Sequence, residues 1–262
     1  MCTILVLYRA HPAFPLIVAA NRDEFYGRPT LAPRLVEPTL LAGLDGERGG
    51  TWMGATAGGF FVGLTNHRNY KAADKARRSR GEVVMEALRL GEIAQVEALM
   101  AELSPSDYNP FQLLYGDAGA LRVAYVHEKM ERPETHAVSA GFHVLPNDRL
   151  DAPSFGHKIE RAKARLEGWE GLGWPALAQR LRETLGDGAL PPLERVAPPP
   201  AGSLMPHAML HRLEALCIRT PVYGTRSATL AAFAPGRTAV YEYADGPPDE
   251  AAFVDLAPLL PA

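Results

Sequence analysis

Cys2 offers the most reactive chemistry in the chain. A small residue directly after Met1 permits removal of that methionine, which would leave a free α-amine on the residue that carries the thiol. With an α-amine pKa near ~8 and a thiol pKa near ~8.5, the amine can take the thiol proton near neutral pH and activate its own nucleophile. A second cluster, Asn21-Arg22-Asp23-Glu24, follows the next apolar run. Asp23 can hydrogen-bond the α-ammonium and fix its geometry, and Arg22 can hold a thiolate or a ligand carboxylate. The same tetrapeptide also reads as a polar turn whose charges pair with each other.

Other patterns are weaker. His207, His211 and Glu214 have the spacing to share one helical face, but Pro206 and the apolar residues between them read as an ordinary amphipathic helix, so no metal site is expected. Cys217, within LEALCI, reads as a small core residue of an apolar helix. Trp52, Phe60 and Phe61 read as core packing, with lining of an apolar ligand pocket as the alternative, and His67 and Arg68 as rim residues beside Asn66. There is no HExxH, GxSxG, P-loop or GxGxxG pattern.

These residues need elements to hold them. Apolar, β-branched runs at 2–7 (CTILVL) and 16–20 (LIVAA), separated by Pro12 and Pro15, predict an antiparallel hairpin. It brings Asn21–Glu24, at the end of the second strand, beside Cys2. Further strands are expected at 51–56, 59–65, 111–115, 121–126, 136–145, 225–233 and 238–243. Ser79-Arg80-Gly81-Glu82 has the form of a capping box ahead of a helix with Val83, Val84, Ala87 and Leu88 on one stripe. Helices are also expected at 92–103, 158–169, 175–185 and 209–218, the last after a Pro-rich segment. Strands and helices come in blocks, which favours a layered α+β architecture over a doubly wound sheet, with residues 1–262 forming one domain.

Composition bounds the function. Lys and Arg total 27 against 30 Asp and Glu, a net charge of -3, so no global basic field invites nucleic acid. No run approaches the ~18 apolar residues of a membrane span, and the N-terminus lacks a signal-peptide pattern. Two cysteines exclude a disulfide scaffold, so a reducing, cytoplasmic setting is expected. The balance hides a basic stretch (Lys71, Lys75, Arg77, Arg78 and Arg80 around Asp74) and a segment after Thr238 with acids but no Lys or Arg. The first reads as a solvated loop or as a basic lip for an anionic ligand.

The opening MCTILVLY, NRDE at 21–24, GGTWMG at 49–54, GLTNHR at 63–68, SRG at 79–81, LLYGD at 113–117 and YGTRSAT at 223–229 together resemble the NRDE-motif family, also called the transport and Golgi organisation protein 2 family. These blocks run in order over nearly the whole chain. The resemblance implies an N-terminal-nucleophile (Ntn) hydrolase fold, a four-layer αββα sandwich of two antiparallel sheets between helices. It also implies a distant similarity to cysteine amidases of the penicillin V acylase and bile-salt hydrolase type. Carried over residue by residue, the nucleophile falls on Cys2, the aspartate on Asp23, two asparagines on Asn66 and Asn147, and a late arginine on Arg226. Asn147, with Asn66 as a second donor, would then form the oxyanion hole, and Arg226 would settle charge on Cys2 or substrate. Asn21, Arg22, Glu24, Trp52, His67 and Arg68 are the ligand-binding candidates.

One departure bears on the chemistry. In those amidases an arginine precedes the aspartate by three residues, a position held here by Ala20, while Arg22 adjoins Asp23. Neighbours on a strand point to opposite faces, so without a bulge Arg22 and Asp23 cannot both face Cys2. Two functions follow from the resemblance. One is hydrolysis of C–N bonds by Cys2 with no required cofactor. The other is a non-enzymatic carrier of haem or a lipid or acyl ligand in the same pocket.

Overall fold

Every residue of the first strand, β1 (Cys2–Tyr8), is buried, as are the first eight of β2 (Leu16–Phe25). A strand can be apolar on both faces only if both are covered. Here one face meets a second sheet and the other meets helices. In the computed structural model, which describes residues 2–261, the first sheet has the order β10 (Gly141–Leu145), β1, β2, β11 (Tyr223–Ala234), β12 (Arg237–Ala244), β13 (Val254–Asp255). The second is a meander in chain order: β3 (Thr30–Glu37), β4 (Leu40–Asp45), β5 (Met53–Thr56), β6 (Phe61–Asn66), β7 (Phe111–Gly116), β8 (Leu121–Val126), β9 (Glu134–Ala137). All pairings in both sheets are antiparallel.

The strand period of two divides the side chains between two cores. Ile4, Val6, Leu16, Val18 and Ala20 face inward onto Leu41, Met53, Ala55, Phe61 and Leu114 of the second sheet. Leu5, Leu7, Ile17 and Ala19 face outward onto Ile159 and Ala162 of α3 (Gly156–Arg165) and Leu177 and Leu181 of α4 (Trp174–Leu185). On the far side, Val62, Leu64 and Leu113 pack against Val84 and Leu88 of α1 (Arg80–Leu90) and Val96 and Met100 of α2 (Ile93–Glu102). Each fully buried Leu, Ile or Val is worth about 1.5–3 kcal/mol, so the three contact layers hold the sandwich together. The result is the expected αββα arrangement.

Several elements differ from expectation. The second strand is longer than the apolar run 16–20: it continues through NRDE to Phe25, because β11 pairs along it from Phe233 opposite Leu16 to Tyr223 opposite Phe25. Strands β3 and β4 carry no clear apolar alternation: β3 is an edge strand containing Pro33, largely exposed, with two register irregularities. The stretch 136–145 is two strands in different sheets, divided at Gly141, whose φ of 132° suits glycine. Ser79 makes no side-chain cap bond, although α1 starts where the capping pattern placed it. The last helix, α5 (His207–Arg212), stops before Cys217, which is buried in the non-helical segment that follows. His207 and His211 donate from Nε2 to the carbonyls of Val196 and Pro191, at 2.8 and 2.7 Å, and so tie down the Pro-rich segment.

Candidate active site

Register places the central residues. Cys2 lies directly opposite Arg22 on β2, so their side chains share the inward face of the sheet. On the other flank of β1, Ile4 is opposite Leu145 of β10, and continuing that register two residues brings Asn147 level with Cys2. Across the sandwich, a Cβ placed on Gly63 of β6 would lie 3.0 Å from Ile4 Cδ1, so β6 runs under β1 and ends at Asn66 near the same edge. Cys2, Arg22, Asn66 and Asn147 are thus gathered at one end of the sandwich by four strands. Met1 itself lies outside the described residues.

The loops after β6 and β10 are locked together. Asn147 donates from Nδ2 to the Asn66 carbonyl at 2.9 Å, and the Arg68 N–H donates to the Asn147 carbonyl at 2.8 Å. Thr65, beneath them, shares its hydroxyl proton between Gln112 Oε1 (2.9 Å) and the Pro146 carbonyl (2.8 Å). That orients the Gln112 amide so that Nε2 donates to His67 Nδ1, at 3.0 Å, which leaves the His67 proton on Nε2. His67 stays neutral: burial and the neighbouring His127 push its pKa down to about 4.

The Cys2 side is short of water and rich in arginine. Cys2 is only 6% exposed, and burial raises its thiol pKa, against the opposing pull of Arg22 and of the Asp23 backbone N–H that donates to the sulfur. Arg22 reaches across to the second sheet, donating to Thr30 Oγ1 at 3.0 Å, with Glu24 3.9 Å away. A second guanidinium comes from Arg80 at the start of α1. Burial lowers its pKa to about 10, against the opposing pull of the Cys2 thiol and Glu24. The sequence places Arg80 only within the basic lip at 71–80, with no individual role. A cation in the first turn of a helix opposes the helix dipole, and that misplacement was the available signal that it serves something else.

Asp23 occupies the other face of the sheet, as the strand period required. There it accepts from Thr225 Oγ1 at 2.7 Å, and its backbone carbonyl accepts from the Tyr223 hydroxyl at 2.9 Å. Burial raises its pKa to about 6, opposed by the positive charge of Lys158. Lys158, on α3, is 1% exposed and donates to Thr3 Oγ1 at 3.2 Å, next to Cys2 in the chain. Sequence reasoning missed this lysine. It occupies the buried stripe of α3 with Phe155, Ile159 and Ala162, and a charge on such a stripe is the signal that could have found it. Glu214 and Arg68, 3.4 Å apart, complete a charge-balanced buried set, with Arg68 also stacked 4.3 Å over Phe155.

Of the remaining expected residues, Glu24 stays on the Cys2 side with Arg22, and the others are placed elsewhere. Asn21 points outward with Asp23 and donates from Nδ2 to the carbonyls of Leu185 and Leu216, both at 2.8 Å, so it clamps α4 rather than a ligand. Trp52 packs on the inter-sheet core. Arg226 is the bulged residue of β11, skipped between Thr225 and Ser227, and its guanidinium turns to Asp245 at 3.5 Å instead of to Cys2. Glu24 is engaged by Arg28 at 3.8 Å.

Two cavities bear on the site. The larger, about 540 Å³, lies on the outer side of α1 and α2 and does not include Cys2. The smaller, about 110 Å³, is walled by Asn66, Arg68, Lys71, Arg80 and Asn109 among others, and through Asn66 it lies at the end of the sandwich where Cys2 is gathered. Among the described residues no cluster of three His, Cys, Asp or Glu side chains could hold a metal ion, and no helix is long and apolar enough to cross a membrane.

Two stacked antiparallel sheets between helical layers, with a cysteine heading a central strand, define the Ntn-hydrolase fold. A solved structure of this fold, the Caenorhabditis elegans N-acylethanolamine-hydrolyzing acid amidase ortholog, superposes with a TM-score of 0.53 at 12% identity, over 90% of this chain and 93% of that one. The chain belongs to the Transport and Golgi organisation 2 family, whose family model it matches over residues 1–242. It is 31% identical over 252 residues to the transport and Golgi organization protein 2 homolog of Bos taurus, and 30% identical over 258 residues to that of Homo sapiens. Each alignment covers 88% of this chain and 87% of the relative.

Proposed function

We propose that the protein is a cysteine amidohydrolase that cleaves C–N bonds with Cys2 after removal of Met1. The observation that carries this reading is the placement of Cys2: a buried thiol at the head of an interior strand, opposite Arg22 and level with Asn147. Because burial raises the thiol pKa, little thiolate stands ready and a base is required. The α-amine of a processed Cys2 supplies it. The sulfur attacks the amide carbonyl as its proton passes to the amine, and the carbonyl oxygen becomes an oxyanion. Asn147 Nδ2 carries two hydrogens and spends one on Asn66, so the other is available to that oxyanion. The amine then protonates the departing nitrogen, the C–N bond breaks, and water hydrolyses the thioester. The fold neighbour is named for hydrolysis of N-acylethanolamines, which are amides, and this agrees with the reaction class without naming a substrate.

The carrier alternative for haem or an acyl ligand needs a larger space. Sites for drug-sized ligands run to about 300–1,000 Å³, against about 110 Å³ at the Cys2 end of the sandwich. The deciding experiment combines intact mass with turnover on a panel of amides. Expected are a chain lacking Met1, a covalent adduct with an acylating electrophile located at Cys2, and loss of at least about 10³-fold in kcat/KM in Cys2→Ala. A fully active protein that retains Met1, or activity that survives in Cys2→Ala, would overturn the proposal.

A further inference from the structure

The small cavity at the Cys2 end of the sandwich has an unusual wall. Arg68, Lys71 and Arg80 contribute three cations, Asn66, Asn69 and Asn109 three amides, and no Asp or Glu belongs to its lining. Arg80 has little to bond: among the described residues its one hydrogen bond is a long one, from Nη1 to the Pro110 carbonyl at 3.4 Å. Most arginines of this protein are engaged by carboxylates, as Arg28 is by Asp45 and Arg182 by Glu242. Arg68 meets Glu214 only through Nη1, at 3.4 Å; it is 7% exposed, and its Nε and Nη2 find no acceptor among the described residues. A guanidinium whose cavity face meets no carboxylate of the lining gains from an anion that completes it, beyond the pull of Glu24 from outside that wall. His67, in the same wall, is neutral and so does not compete for an anion.

We infer that this cavity is a subsite for a small carboxylate on the substrate, held by Arg80 and Lys71, so that the preferred substrates are amides with a carboxylate close to the scissile bond, as in N-acyl amino acids. The size agrees: about 110 Å³ is the volume of three to four water molecules at ~30 Å³ each, enough for a carboxylate and a carbon or two. The position agrees as well. Arg80 and Asn66 line the cavity, and Asn66 ends β6 at the edge of the sandwich where register gathers Cys2, so a carboxylate seated here directs its amide toward that edge. The planar fork of Arg80 suits a carboxylate, and Lys71 adds a mobile charge at the mouth.

The inference rests on the amidase reading, and its test separates the two. Binding is measured calorimetrically on the full chain carrying Cys2→Ala, which cannot turn over, with N-acetylglycine, its neutral analogue N-acetylglycinamide, and inorganic phosphate. The expected result is saturable binding of N-acetylglycine, at least tenfold weaker in Arg80→Gln and weaker again in low-affinity ranges at high salt, with no saturable binding of the amide. Lys71→Ala, an exposed position, gives a second reading should Arg80→Gln fail to fold. Equal binding of acid and amide, indifference to both substitutions, or binding of phosphate alone overturns the carboxylate assignment. Arg80-dependent binding of N-acetylglycine in a wild-type chain that hydrolyses no amide keeps the subsite and removes the amidase reading. Turnover blind to the substrate carboxylate does the reverse.

Discussion

At Asp23 two opposite pH dependences meet, and they distinguish a catalytic role from a structural one. Its pKa is raised to about 6 by burial, against ~4 in an unfolded chain. Between about pH 4 and 6 the folded protein therefore holds a proton that the unfolded chain has lost. The stabilisation from this group is complete below about pH 4 and is lost as pH rises through about 6. On the proposed amidase reading catalysis runs the other way: Asp23 would hold the Cys2 amine only when ionised, so kcat/KM is expected to rise through an apparent pKa near 6. In Asp23→Asn the acid limb of the rate profile should vanish, and with it the decline of thermal stability between pH 4 and 6. A rate profile unchanged in the variant would remove Asp23 from the chemistry. Cys2, Asp23, Asn66 and Asn147 were legible as residue types in a familiar order. Lys158 was not, nor was the buried setting of Arg80 and Glu214, since their significance comes from partners distant in the chain. The opposite facing of Arg22 and Asp23 was legible because it needs only the strand period.

Arg80 is aimed by the close approach of two glycines. A Cβ on Gly50 would lie 2.5 Å from the Gly81 carbonyl carbon, and one on Gly81 would lie 2.9 Å from the Thr51 carbonyl oxygen. The Thr51 N–H donates to the Gly81 carbonyl at 3.2 Å, so the backbone ahead of β5 docks on the first turn of α1. The contacting atoms are backbone and cannot step aside. Gly81→Ala should cost about 1–3 kcal/mol, several degrees in melting temperature, and should shift Arg80 enough to weaken N-acetylglycine binding. Gly156→Ala is the contrast: it opens α3, has nothing within 4 Å of its new Cβ, and should be neutral or stabilising. Equal losses in the two variants would refute the docking argument. GGTWMG and SRG stood out in the sequence as motifs, yet nothing local says that their glycines touch. The same holds for 136–145, where an unbroken apolar reading concealed a crossing from one sheet to the other.

Charge that looks segregated along the chain is paired in the folded molecule. Of the acids after Thr238, Glu242 binds Arg182 through both oxygens, Asp249 and Glu250 share Arg219, and Asp245 meets Arg226, so the acidic segment is largely neutralised by earlier parts of the chain. Long-range pairing of this kind also sets how the molecule opens. Strands β1, β2 and β11 are interior to their sheet, covered on both faces, and almost wholly buried, whereas β3 and β9 are the edges of the other sheet and are mostly exposed. Local opening is cheapest where few buried contacts must be broken. Amide hydrogen exchange should therefore be slowest in β1, β2 and β11 and faster by several orders of magnitude in β3 and β9. The slow set includes the strand that Cys2 heads and the Asp23 segment opposite it, so the proposed nucleophile is mounted on the most deeply covered part of the sandwich. Exchange in β1 as fast as in β3 would contradict that arrangement, because it would mean that the nucleophile's strand frays independently of the two cores that cover it.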